Sequence, residues 1–116
     1  MTPISPRIRI YFGSDLAIGP GRIELLEGVQ RTGSLAKAAR DMDMSYRRAW
    51  LLMRSLNEAL LQPATIAAKG GRHGGGASVT AVGKRLIAAY RQFETKAARD
   101  AQRAFGQFAG RRTGAG

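Results

Sequence analysis

The chain has 116 residues, enough for one domain with a modest core and too few for two. Hydrophobic residues make up 44% of it, which excludes wholesale disorder, and the absence of cysteine excludes a disulfide framework. Nineteen Lys and Arg against eight Asp and Glu leave a net charge of +11, which points to a polyanionic partner.

Fifteen of the nineteen cations are Arg, whose planar fork of donors fits phosphate oxygens and guanine edges. The same surplus suits an anionic membrane surface, or a compositional bias toward Arg, Ala and Gly, so charge alone does not choose the partner. No apolar run is long enough to span a bilayer, and Met1 to Arg9 lacks the apolar stretch of a signal peptide. The expected location is the cytoplasm, with no membrane partner.

Ile8, Ile10 and Phe12 alternate with Arg7, Arg9 and Tyr11, which predicts a half-buried strand punctuated by Gly13-Ser14-Asp15. Gly19-Pro20-Gly21 opens a first helix, with Pro20 in the first turn where no donor is needed. Ile23, Leu25, Leu26 and Val29 form its apolar face, and Thr32-Gly33 stops it. Ser34 caps a short second helix with Leu35, Ala38, Ala39 and Met42 on one stripe. Ser45 caps a third. Its stripe is Tyr46, Ala49, Trp50, Met53, Leu56 and Leu60, with Trp50 expected in the core, and Pro63 ends the helical stretch.

Ala64 to Ala68 and Ala77 to Val79 read as two strands of a hairpin whose tip, Lys69 to Gly76, is Gly-rich, basic and flexible. Thr80 caps a fourth helix. Its apolar stripe runs through Val82, Leu86, Ala89, Tyr90, Phe93, Ala97, Ala101, Ala104, Phe105 and Phe108. A helix of that length is too long to bury against so small a domain, so part of the stripe is expected to meet a partner chain. Leu86, Tyr90, Phe93, Ala97 and Phe105 are the candidate dimer contacts. The reading is residues 1–108 as one domain, with the dimerisation helix over about 80–108, and residues 109–116 as a disordered tail.

The fold class expected is mainly α with a small β-hairpin: a winged helix-turn-helix with a long C-terminal dimerisation helix. Ala38-Ala39 permits a close crossing of the second and third helices, and Met42-Asp43-Met44 is a short turn with Asp43 at the left-handed position. In this motif the start of the second of the two helices enters the major groove. Candidate DNA contacts are Ser34, Ser45, Tyr46, Arg47, Arg48 and Arg54, joined from the wing by Lys69, Arg72 and His73. Arg47 and Arg48 can reach guanine edges or phosphate, and Arg54 is placed for the backbone. A glycine-rich basic wing suits phosphate backbone or minor groove.

Enzyme chemistry is not expected. One His and no Cys rule out ordinary metal clusters, and His73 has no sequence-local acid or nucleophile. Gly83-Lys84-Arg85 lacks the spacing of a P-loop, and no Gly-x-Gly-x-x-Gly occurs. No catalytic residue, metal or cofactor is therefore assigned.

Several motifs resemble, in order, the DNA-binding domain of ModE-type molybdate-responsive transcriptional regulators. They are Gly19-Pro20-Gly21-Arg22-Ile23-Glu24-Leu25-Leu26-Glu27, then Thr32-Gly33-Ser34-Leu35 with Ala38-Ala39, then Met44-Ser45-Tyr46-Arg47-Arg48-Ala49-Trp50. The wing run from Lys69-Gly70-Gly71 to Gly74-Gly75-Gly76-Ala77 and Val79-Thr80-Ala81-Val82-Gly83 with Leu86-Ile87 complete a likeness over roughly residues 7 to 93. The resemblance implies a LysR-like winged helix-turn-helix that dimerises and binds a palindromic operator. Its recognition helix would begin at Ser45. Regulators of this kind that sense molybdate carry a C-terminal oxyanion-binding module, and nothing after the fourth helix here has that character. The expectation is a stand-alone DNA-binding version, or a sensor on a separate protein, with no small-molecule effector evident in this chain. The readings set against a specific homodimeric regulator are a nucleoid-type protein that coats double-stranded DNA without sequence preference, and an accessory protein pairing with another regulator.

Overall fold

The computed structural model describes residues 2–68 and 76–110. Strands β1 (Ile10–Phe12) and β2 (Asp15–Ile18) form an antiparallel hairpin, followed by helices α1 (Pro20–Thr32), α2 (Leu35–Asp41) and α3 (Tyr46–Ala59). Strands β3 (Thr65–Ala67) and β4 (Ala77–Val79) make a second antiparallel pair, and α4 (Ala81–Phe105) closes the order. This is the winged helix-turn-helix expected from the sequence, with one strand, β2, that periodicity did not predict.

Helix α1 is the centre. Ile23, Leu25, Leu26 and Val29 are all buried on it, and α2, α3, α4 and β4 pack around it. Pro20 begins it, and Gly33 ends it at φ 70°, donating its N–H to Val29 O. Ala38 and Ala39 are buried where α2 meets its neighbours. A Cβ on Gly28 would come 2.9 Å from Ala38 Cβ, so the small residues matter on the α1 side as well.

The α2–α3 turn follows from local chemistry. Asp43 takes the left-handed conformation at φ 56°, and Met44 N–H returns to Ala39 O at 2.9 Å. Helix α3 ends at Ala59, before Pro63. Leu60 is extended, and the Asn57 carboxamide oxygen accepts N–H bonds from Ala64 and Thr65, turning the chain back into the wing. The wing register pairs Thr65 with Val79 and Ala67 with Ala77, and a bridge from Ser34 to Gly76 ties the hairpin to the start of α2.

The N-terminal arm lies along α4. The Tyr90 hydroxyl donates to Ile8 O at 2.8 Å, and Ile4 N–H donates to Gln102 Oε1 at 2.8 Å. Ile8 and Ile10 pack on the core as the alternation predicts, but Phe12 is 45% exposed. The register shifts between Ile10 and Tyr11, and that irregularity breaks the alternation before it reaches Phe12. No helix among the described residues is long and apolar enough to cross a membrane.

Candidate nucleic-acid interface

Ser45 sets the start of α3. Its hydroxyl oxygen accepts the Arg48 N–H at 3.1 Å, and Ser34 does the same for the Lys37 N–H at the start of α2. Successive residues turn about 100° around a helix. With Ala49, Met53 and Leu56 buried, Arg47, Leu51 and Arg54 face away from the core. Arg48 and Ser55 lie on the flank toward α1, and Tyr46 and Trp50 on the opposite flank. Arg47 is exposed at the outer edge of the first turn, a position compatible with base edges.

Trp50 is not in the core. It is 44% exposed, with the Arg54 guanidinium over its ring at 5.3 Å. The α3 stripe is centred on Ala49, Met53 and Leu56, so the Tyr46–Trp50 row falls at its edge. Tyr46 is exposed too. Arg54 donates to Glu58 at 2.8 Å, but both side chains are mostly in solvent. Such a pair contributes at most about 1 kcal/mol, so Arg54 can leave it for a phosphate.

Ser34 sits at the junction of α2 with the wing, its hydroxyl engaged in the cap and its backbone bridged to Gly76. Lys69, Arg72 and His73 lie outside the described residues.

The fourth-helix stripe divides in two. Gly83 and Tyr90 are buried, and Leu86 is partly buried against the core. Tyr90 is therefore corrected as a dimer contact: at 2% exposure, with its hydroxyl bonded to Ile8, it offers no surface to a second chain. The stripe continues past the core as an open groove lined by Phe93, Ala97, Ala101, Ala104 and Phe105 together with Lys96 and Asp100. Phe93 and Phe105 are more than half exposed. The helix itself ends at Phe105, and Phe108 N–H closes a tighter turn onto Phe105 O.

Sequence reasoning missed two arginines. Arg22, in the first turn of α1, donates through Nε and Nη2 to Ser55 Oγ at 3.4 and 3.1 Å, which fixes its guanidinium beside Arg48. Burial, and then the Arg48 charge, lowers its pKa from the ordinary arginine value. Arg91 is pinned by Glu27 and Glu94, and those hydrogen bonds raise its pKa. The Arg22–Ser55 and Arg91–Glu27 pairings span 33 and 64 residues, and Glu94, three residues from Arg91, was the one local sign.

No family model matches the chain. It is 43% identical over 82 residues to the molybdenum-pterin-binding protein MopB of Rhodobacter capsulatus, covering 71% of this chain and 30% of that protein. It is 38% identical over 78 residues to the molybdenum transport protein ModE of Azotobacter vinelandii, covering 67% and 29%. It is 38% identical over 71 residues to the DNA-binding transcriptional dual regulator ModE of Escherichia coli, covering 61% and 27%. The chain thus spans under a third of the length of these curated relatives. Among solved structures, the DNA-binding domain of CbnR, determined in complex with DNA, superposes with a TM-score of 0.60 at 19% identity, covering 77% of this chain and 97% of that one. That likeness shows the winged-helix fold.

Proposed function

We propose, for a chain that resembles the ModE-type N-terminal domain over about two thirds of its length, that it is a dimeric, sequence-specific DNA-binding transcriptional regulator. The observation that carries this reading is the start of α3: Ser45 caps it, Asp43 turns the chain into it, and Arg47 stands exposed on its outer side. The net charge of +11 and the regulator and DNA-complex names of the relatives support it.

In this reading α3 enters the major groove and Arg47 reads a base edge. Arg54 and the wing arginine and lysine hold the backbone, with the wing on phosphate or in the minor groove. Two copies pair along the α4 groove, and their two-fold symmetry makes the operator palindromic. The apolar stripe running beyond the protomer's own core supports that pairing.

The test is binding to duplex from the chain's own upstream region against scrambled duplex, near physiological salt, with and without molybdate. A specific regulator prefers its site by ~10³–10⁷, and its log affinity falls against log salt by about 0.9 per neutralised phosphate. Equal affinity for both duplexes turns the reading to a DNA-coating protein, which the +11 charge would also serve. Arg47→Ala is expected to relax sequence preference, by roughly the 1–3 kcal/mol of one bidentate arginine–guanine contact, without altering the fold.

A further inference from the structure

Arg7, Arg9 and Tyr11 alternate along the N-terminal arm, and the fold gives that face a partner. Together with Arg22, Arg48 and the first residues of α1 they line an open-mouthed cavity of about 550 Å³. Met44 and Leu52 form its apolar part. Four arginines from three separate segments line it. No acidic side chain lines the cavity, and none of the four arginines is in an ion pair among the described residues.

Like charges gathered this way repel, and no carboxylate among the described residues pairs with them. The arrangement is nevertheless built. Ser55 holds Arg22, and Tyr90 holds the arm through the Ile8 carbonyl. The aliphatic part of Arg9 lies beside Gly19, 3.8 Å from where its Cβ would be. The start of α1 adds donors of its own. Gly19 provides no side-chain cap, Pro20 has no N–H, and the first intrahelical bond is that of Ile23 N–H to Gly19 O. The N–H groups of Gly21 and Arg22 precede that bond, and a Cβ on Gly21 would meet nothing within 4 Å. Forked donors around an open helix start are the chemistry of a phosphate site.

Arg48 belongs to this cavity and immediately follows Arg47 on α3, so a group bound here lies beside the surface assigned to base reading. We infer that this arginine cavity clamps a backbone phosphate of the DNA next to the groove entered by α3. The site shares Arg48 with the helix-turn-helix and adds Arg7, Arg9 and Arg22, which none of the contacts assigned above uses, and it rests on the DNA-binding reading. It also divides the labour of two adjacent residues: Arg47 specifies and Arg48 grips.

The experiment compares the full chain with its Arg7→Gln/Arg9→Gln double variant on specific and scrambled duplexes across a salt series. Circular dichroism verifies the fold. Both side chains are exposed on the arm, and Arg22→Gln is the second variant should the first misfold. The affinity is expected to fall about tenfold on every duplex alike, the scale of one charge-assisted hydrogen bond, and the salt slope to drop by about 0.9. Inorganic phosphate should displace duplex from the wild type more than chloride of equal ionic strength does, and the variant should lose that excess.

A duplex-binding chain whose affinity and salt slope ignore the substitutions overturns the clamp and leaves the regulator reading standing. So does a loss confined to one sequence. Phosphate that saturates the cavity without displacing duplex makes it a free-anion site and overturns the clamp as well. A wild-type chain that binds no duplex overturns both readings together.

Discussion

Arg91 on α4 and Glu27 on α1 meet through two parallel hydrogen bonds, Nη2 to Oε1 at 2.6 Å and Nε to Oε2 at 3.1 Å. A third, from Nη1 to Glu94 at 2.7 Å, completes the fork. Both the Arg91 and Glu27 side chains are about a third exposed, so solvent screens the pair and its net worth is modest. Glu27→Gln keeps the shape and removes the charge. It is expected to cost about 1 kcal/mol and to lower Tm by about 4 °C. Arg91→Lys should not match the wild type, because an ammonium cannot span both carboxylate oxygens. Thermal unfolding checks both. An unchanged Tm in Glu27→Gln would mean that the Glu27 charge contributes nothing to the docking of α4.

Gly83 opens α4 at its tightest approach to the rest of the chain. A Cβ there would lie 2.6 Å from Val79 Cγ1 and closer still to the Ala64 carbonyl oxygen. That carbonyl is held by the Thr80 N–H at 2.9 Å and cannot swing aside. Helix propensity favours alanine over glycine by about 1 kcal/mol, whereas overpacking costs ~1–3 kcal/mol. With backbone as the obstacle, the steric term wins. Gly83→Ala is expected to lower the urea midpoint by the equivalent of roughly 1–2 kcal/mol, and a raised midpoint would show that α4 is free to shift outward.

Tyr90 is buried with its hydroxyl donating to Ile8 O. Burial first, and the Glu94 charge second, raise its pKa above the ordinary phenol value. The folded state therefore favours the protonated form. The resulting stability is fully present below pH ~10, where the unfolded tyrosine is also neutral, and is lost as pH rises toward the folded pKa. Tyr90→Phe should cost about 1 kcal/mol at pH 8, through the lost hydrogen bond. The Tm gap between wild type and variant should narrow from pH 10 upward. A gap of equal size at pH 8 and pH 11 would mean that the phenol is not held neutral.

These partnerships explain what could be read in advance. Ser34, Ser45 and Thr80 as caps, Gly33 and Asp43 as left-handed residues, and the start of α1 at Pro20 are local chemistry, and each stands where the sequence placed it. The four helices follow from the 3.6-residue period. What stayed hidden depends on distant partners. Strand β2 has four residues and is defined only by pairing with β1. Periodicity located the apolar row of α3, but its phase against α1 and α2 decides that Met53 goes in and Trp50 stays out. The Arg7–Arg9–Tyr11 face was visible as alternation, while the cavity it closes needed Arg22 and Arg48 to arrive from elsewhere. Tyr90 failed as a dimer residue for the same reason: its stripe is continuous in sequence, and only the fold shows where the core ends.

That division of α4 makes the dimer proposal testable on folded protein. Phe93 and Phe105 are half exposed in the protomer, at 51% and 58%, so an aspartate at either position keeps its hydration there and costs the monomer little. In a paired interface the same carboxylate would be desolvated, a penalty of several kcal/mol and enough to separate most small dimers. Phe93→Asp and Phe105→Asp are thus expected to run as monomers by light scattering with far-UV dichroism unchanged. Tyr90→Asp, inside the core, should unfold the chain instead. If both phenylalanine variants keep the wild-type dimer mass, the groove is not the interface, and the two recognition helices must be related through another surface. If the wild type is itself monomeric at tens of micromolar, pairing requires DNA, and the two variants should then lose affinity on a two-half-site duplex while retaining it on a single half-site.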